Sequence, residues 1–316
     1  MALPLLKAAL SPLAKRGPYE SAALPGAEVT REVVPDPARL RAYARVCGFE
    51  DDGTLPAPYP HVLAFPLAMR LMTARDFPFP VPGLVHTRIA LTRHAPLAAA
   101  DRLTLAVRAD GTAPHARGTE FGLVTRALLD GEEVWHSRST YLFRHERAAP
   151  GTREDREERA ALPARATWEL PAGLGRRYAA ASGDRNPIHL HPLTARLFGF
   201  PRALAHGMWT FARCLAEAPA DLRTAEAVFR SPLLLPARVT YGQEEGRFEV
   251  RGGRRGVSSF ASPPARQSVP SVVDCDPAAA RASLTDSRLH VSGKWGGKAS
   301  TARPSSGSPG PPSRSS

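Results

Sequence analysis

Two side chains able to move protons stand five residues apart in the segment YAAASGDRNPIHLHPLTARLFGF, Tyr178 to Phe200. Asp184 offers a carboxylate and His189 an imidazole. An acid and an imidazole that converge on one water molecule form a common arrangement for general acid–base work. Convergence requires the chain between them to turn. Ser182-Gly183-Asp184 and Asn186-Pro187 are strong turn formers, and Pro187 disfavours helical backbone at Asn186. On one helix the two side chains would point roughly 140° apart, at about 100° per residue. The spacing therefore predicts a loop, which can aim both at one point. The same residues admit a plainer role. Asp184 can brace the turn through its own backbone or cap a helix that starts just after it, and His189 can be a buried histidine bonded to backbone.

A second element follows at Leu204-Ala-His-Gly-Met208. Phe200-Pro201 marks a break, and an apolar stretch resumes at Met208, which puts Gly207 at a helix start. The first N–H groups of a helix lack intrahelical partners and lie at the positive end of its dipole. A glycine there lets a ligand approach the backbone closely. Such a site can hold a carbonyl oxygen that gains negative charge during a reaction, one such donor being worth about 3 kcal/mol in the transition state. Taken alone, the element is equally a simple loop-to-helix junction.

These residues need elements to position them, and the chain reads as two diverged copies of one unit. Tyr43-Ala-Arg-Val-Cys-Gly48 parallels Tyr178-Ala-Ala-Ala-Ser-Gly183, and Pro60-His61-Val62 parallels Ala205-His206-Gly207. Each second match leads into a stretch suited to a helix, Leu63 to Met72 and Met208 to Ala216. Strand-like segments follow: Leu84 to Thr92, Arg102 to Arg108, Gly118 to Leu129 and Glu133 to Phe143 in the first copy, with Asp130-Gly131 as a hairpin signal. The second copy offers Ala227 to Arg230, Ala237 to Tyr241 and Arg247 to Arg251, and no clear counterpart to the last two strands of the first copy. Only SRLHVS, Ser287 to Ser292, passes as a short strand beyond them. The charged run RAAPGTREDREER, Arg147 to Arg159, reads as a solvated linker. The Ser-, Pro- and Gly-rich end cannot bury enough apolar surface to order itself. The expected organisation is a first unit over 28–146, a linker over 147–161, a second unit over 162–252 and a disordered or atypical tail over 253–316.

Composition narrows the function. A hydrophobic fraction of 43% in 316 residues suits a chain with a real core, and no stretch is apolar enough for a membrane span. The net charge of +12 invites a nucleic-acid reading, but nine basic and three acidic residues from Gly253 onward supply half of that excess. Only Phe260 and Trp295 fall among them and no run alternates basic with aromatic residues, so no nucleic-acid partner is expected. A scattered basic surface suits a phosphate-bearing substrate instead. Cys47, Cys214 and Cys275 are odd in number and far apart, which points to a reducing compartment rather than a disulfide framework. The first acid is Glu20, but one arginine and one serine before it make a poor transit peptide. A cytoplasmic location is expected ahead of a mitochondrial or peroxisomal one.

The segment from Tyr178 to Met208 resembles the MaoC-like, or hydratase 2, family of hot-dog-fold enoyl-thioester hydratases and dehydratases. The family signature runs aromatic, S-G-D-x-N-P-aliphatic-H, five residues, then Ala or Ser. Here it reads Tyr178, Ser182-Gly183-Asp184-Arg185-Asn186-Pro187-Ile188-His189 and Ala195, followed by Gly199-Phe200 and His206-Gly207-Met208. The resemblance implies an α+β double hot dog, two antiparallel sheets each wrapping a central helix, and the lack of strand signals after Gly252 points to a second unit incomplete at its C-terminal end. It implies that Asp184 and His189 hold the catalytic water, that Asn186 and Ser182 support them, and that the Gly207 amide forms the oxyanion hole. The implied reaction is reversible hydration of trans-2-enoyl-CoA to (R)-3-hydroxyacyl-CoA. No metal or other cofactor is required, coenzyme A being part of the substrate, and a homodimer is compatible. An acyl-carrier-protein dehydratase and a non-catalytic acyl-thioester-binding module are the alternatives. The first copy has CGFEDDG where the cluster should stand, so one active site per chain is expected and His61 reads as structural.

Overall fold

The computed structural model describes residues 17–145, 160–252 and 291–296. Among the described residues ten strands are present: β1 Glu28–Val33, β2 Leu84–Arg93, β3 Leu103–His115, β4 Gly118–Leu129, β5 Glu132–Arg144, β6 Ala164–Leu170, β7 Thr224–Phe229, β8 Ala237–Glu244, β9 Arg247–Gly252 and β10 Val291–Gly296. The helices are α1 Pro37–Cys47, α2 Tyr59–Met72, α3 Leu174–Ser182, α4 Pro187–Leu190, α5 Pro192–Leu197 and α6 Gly207–Leu215.

All ten strands join one antiparallel sheet in the order β1-β3-β4-β5-β2-β7-β10-β9-β8-β6. Outward from the β2–β7 seam, the first half runs β2-β5-β4-β3-β1 and the second β7-β10-β9-β8-β6. The two orders are the same when each half is numbered from its own first strand, so the repeat seen in the sequence is a repeat of topology. The seam pairs Arg88 with Val228 and continues to Thr92 with Thr224.

Local sequence explains the turns. Asp130 and Gly131, at φ 51° and 88°, connect β4 to β5, and Glu245 and Gly246, at φ 47° and 74°, connect β8 to β9. Two successive positive φ values match the right-handed twist of the flanking strands. Helix α2, YPHVLAFPLAMRLM, is apolar almost all round and is correspondingly buried. It lies against β3, while α6 occupies the equivalent place beside β9 and β10. One continuous core fills both halves. Trp209 of α6 donates its indole N–H to the Val46 carbonyl at 2.8 Å, binding the second half to the first.

The strands expected in the sequence are present, most of them extended by one or more residues at an end; β3, read to Arg108, continues to His115. β1, β6, α1 and α3 were not singled out, because their exposed faces dilute the apolar pattern. The paired Tyr…Gly motifs end α1 and α3: Gly48 and Gly183 both adopt φ 85° and close their helices with bonds to Ala44 and Ala179. This is the left-handed cap that glycine favours. The expectation of an incomplete second unit is corrected. Val291–Gly296, inside the range read as a tail, pairs with both β7 and β9 and takes the slot that β5 fills in the first half. The sequence marks only its first two residues, Val291 and Ser292, as the end of the expected Ser287 to Ser292, because two of its six residues are glycine, and Gly293 packs where a Cβ would meet the Glu226 carbonyl at 2.0 Å. The rest of 253–316, and nearly all of the proposed linker, lie outside the described residues.

Candidate active site

The polar cluster assembles from the end of α3 through α4 to the start of α6. Gly183 turns the chain out of α3, and the Asp184 N–H bonds to Ser182 Oγ at 3.2 Å. Asp184 Oδ1 accepts the Asn186 N–H at 3.1 Å, an Asx turn. Asn186 has extended backbone, φ −55° and ψ 124°, and caps α4 by accepting the Ile188 N–H. Pro187 occupies the first helical position, where its missing N–H costs nothing. His189 therefore sits on a one-turn helix and not on the loop expected, because Asn186 and Pro187 form an N-terminal helix signal as well as a turn. Asp184 does brace its own turn, yet its second oxygen remains directed at the cluster.

His189 Nδ1 lies 3.0 Å from the Leu204 carbonyl. A carbonyl only accepts, so Nδ1 carries the hydrogen and Nε2 holds the free lone pair. Burial pushes the His189 pKa down, while the Asp184 charge and the Leu204 carbonyl push it back up. His206, 2% exposed at its side chain, stacks on His189 with ring centroids 3.8 Å apart. Its Nε2 donates to the Asp184 carbonyl at 3.1 Å and lies 3.8 Å from Asp184 Oδ2. Burial, with His189 beside it, holds the His206 imidazole well below its usual range and hence neutral. One donor atom each of Asp184, His189 and His206 falls within 4.8 Å of the others. At that separation a single water can bridge Asp184 and His189.

Gly207 is the first residue of α6, and His206 before it supplies no side-chain cap. The first amides of α6 therefore have no partner from the helix itself. A Cβ at Gly207 would stand 3.1 Å from the Phe229 ring, so a larger residue would crowd the approach to that amide. Ser182, Asp184, Asn186, His189 and Gly207, the residues singled out in the sequence, all lie in this one region.

Other contributors were not singled out as site residues. His206 stood within the quoted motif without a role. Gly175, the second residue of α3, lies so close to α4 that a Cβ there would be 2.0 Å from the His189 carbonyl oxygen. The first half also reaches the site. Phe229 contacts His86 of β2 at 5.0 Å between rings, and His86 stacks on Tyr141 of β5 at 4.6 Å. The Asp184 charge helps burial raise the Tyr141 phenol, so Tyr141 is within electrostatic reach across the seam. His61 lies beside this wall, its ring 6.1 Å from His86, and burial lowers its pKa to about 4. In the segment just after Gly48, equivalent to the one that follows Gly183, the first half has no counterpart to the Asp184–His189 pair: Asp52 is spent on Thr54.

The family model for the MaoC-like domain matches residues 157–241. The chain is 39% identical over 232 residues to 3-hydroxyacyl-thioester dehydratase X of Mycobacterium tuberculosis, spanning 71% of this chain and 82% of that protein. The chain belongs to the MaoC-like dehydratase family. The crystal structure of HtdX from Mycobacterium tuberculosis superposes with a TM-score of 0.65 at 30% identity, covering 86% of this chain and all of that one. A MaoC-like dehydratase from Phytophthora capsici superposes at 0.59 with 18% identity, covering 74% of this chain and 91% of that one, a likeness of fold. As in these MaoC-like neighbours, the fold is the hot dog, a sheet wrapped on a helix.

Proposed function

We propose that this MaoC-like dehydratase is a double hot dog with one active site, which reversibly hydrates a trans-2-enoyl-CoA to the (R)-3-hydroxyacyl-CoA. The observation that carries the reading is that His189, with Nδ1 tied to the Leu204 carbonyl, has a donor atom within 4.8 Å of Asp184, beside the uncapped first turn of α6 at Gly207. The relatives named as 3-hydroxyacyl-thioester dehydratases support the substrate class. The equal strand order on the two sides of the seam supports the double unit.

Asp184 and His189 Nε2 hold one water between them. As its oxygen bonds to C3, His189 accepts a proton, and the C2=C3 electron pair moves toward the thioester oxygen. The Gly207 N–H, at the positive end of α6, stabilises that charge. Collapse of the enolate returns a proton to C2, so the elements of water are added and the pair regains its starting state. Ser182 and Asn186 act through Asp184, holding its turn. The acyl chain leads from Gly207 past Phe229 toward His86 and Tyr141 of the first half. Coenzyme A enters only as part of the substrate, and no metal takes part. The reading extends to a reducing compartment, the cytoplasm, which the free buried thiols of Cys47 and Cys214 support.

The test is loss of conjugated enoyl absorbance when full-length protein meets crotonyl-CoA, beside Asp184→Asn and His189→Ala. Activity abolished by both variants establishes the hydratase. Folded wild-type protein without activity, on the CoA thioester and on the acyl-carrier-protein thioester alike, overturns it.

A further inference from the structure

A second group of side chains able to bind a ligand lies away from this site. His94 follows β2, and Glu133 and His136 lie in β5 beside it. His94 Nε2 is 3.3 Å from His136 Nδ1, His136 Nδ1 is 2.8 Å from Glu133 Oε1, and His94 Nε2 is 3.7 Å from the same oxygen. Metal bonds of about 2.0–2.1 Å put ligand atoms about 3.3 Å apart in a tetrahedron and about 2.9 Å apart in an octahedron. The triangle already has the size of a coordination face.

The backbone brings these residues together by a specific device. In the β4–β5 pairing, Ala127 faces Trp135 and Leu128 faces Glu133, so Val134 is an extra residue. In a regular strand Glu133 and His136, three residues apart, would point to opposite faces. The bulge at Val134 reverses the alternation and puts both on one side. The bulged residue also fixes the third ligand, because the Val134 carbonyl accepts the His94 N–H at 2.8 Å. The remaining oxygen of Glu133 is 3.9 Å from Arg126, itself bonded to both oxygens of Glu28 at 2.9 Å. A carboxylate oriented from behind in this way is the usual support of a ligating group. The three side chains are 34–46% exposed, which leaves a path for an ion and room for water as a further ligand.

We propose that His94, Glu133 and His136 bind a divalent transition-metal ion, zinc foremost, as a clip between the end of β2 and the β4–β5 hairpin. Two imidazole nitrogens with one carboxylate oxygen select zinc, nickel or copper over magnesium or calcium. The site is at the opposite end of β2 from His86, about 26 Å along the strand, so it has no part in the hydration. Next to it the Arg93 N–H bonds to the Arg223 carbonyl of the second half at 2.7 Å. A metal that fixes the end of β2 therefore stiffens the join between the halves.

Equilibrium dialysis of full-length, metal-free protein against zinc chloride tests the site, with wild type beside a His94→Ala/His136→Ala double variant and Glu133→Gln. Wild type is expected to bind one zinc per chain more than the double variant at about ten micromolar free zinc, and Glu133→Gln to bind that ion roughly a hundredfold more weakly. Zinc is expected to raise the melting temperature of wild type and not of the double variant, with crotonyl-CoA hydration equal in both. Ions held by Asp184, His189 and His206 or by the cysteines would be equal in the two proteins and drop out of the difference. Equal binding by the two proteins, or a difference seen only at millimolar zinc, overturns the proposal.

Discussion

Gly175→Ala should disable the enzyme without unfolding it. The added Cβ would stand 2.0 Å from the His189 carbonyl oxygen and 3.0 Å from its carbonyl carbon. Carbon and oxygen tolerate little under 3.2 Å in a packed interior, so α4 must retreat by about 1.2 Å. That helix is one turn long and carries His189, so the shift goes directly into the distance between Nε2 and Asp184. A misplacement of about 1 Å in reacting groups costs roughly a hundredfold in rate. The effect on stability is small by comparison. Overpacking costs about 1–3 kcal/mol, and alanine in place of a helical glycine returns about 1 kcal/mol. Steady-state hydration of crotonyl-CoA should show kcat down about a hundredfold with KM little changed, and the melting temperature within a few degrees of wild type. His189→Ala sets the floor for comparison. A Gly175→Ala protein with wild-type kcat would refute the argument that this contact fixes His189.

Four further outcomes are expected. His206→Ala removes the stack on His189 and the bond to the Asp184 carbonyl, and kcat should fall roughly tenfold to a hundredfold, whereas a structural role alone would lower the melting temperature and leave kcat intact. The reaction needs neutral His189, whose pKa is lowered by burial, so kcat in a pH–rate profile should hold below pH 6.5 and fall only further into acid. His61 and His86 have folded pKa values lowered from 6.5 to about 4 and about 3. The unfolded chain binds their protons first, so their contribution to stability is full above about pH 6.5 and is lost progressively as pH falls toward 4, as urea midpoints across that range would show. Trp295→Ala removes a ring stacked on Phe248 at 5.2 Å from the strand that completes the second half. The loss of at least about 1 kcal/mol should lower the melting temperature by about 2–4 °C, and an unchanged melt would mean that β10 does not hold that half together.

The sequence by itself determined the repeat, the hairpin at Asp130-Gly131, two buried helices and the cluster from Ser182 to Gly207. Each of these rests on short-range physics: period, turn chemistry and the spacing of a long motif. Even there one reading was incomplete, since Asn186-Pro187 starts a one-turn helix as well as forming a turn, and His189 rides on that helix. Tertiary structure decided what depends on contacts between distant segments. β10 exists because the open slot between β7 and β9 pairs its backbone, a stabilisation that its own Gly293 and Gly296 could not foretell. Gly175 matters only because α4 packs onto it, and Tyr141 and His86 only because the seam carries the first half up to Asp184. The His94, Glu133 and His136 triangle depends on a single extra residue in β5, and which side an added residue turns a strand is settled by the partner it pairs with.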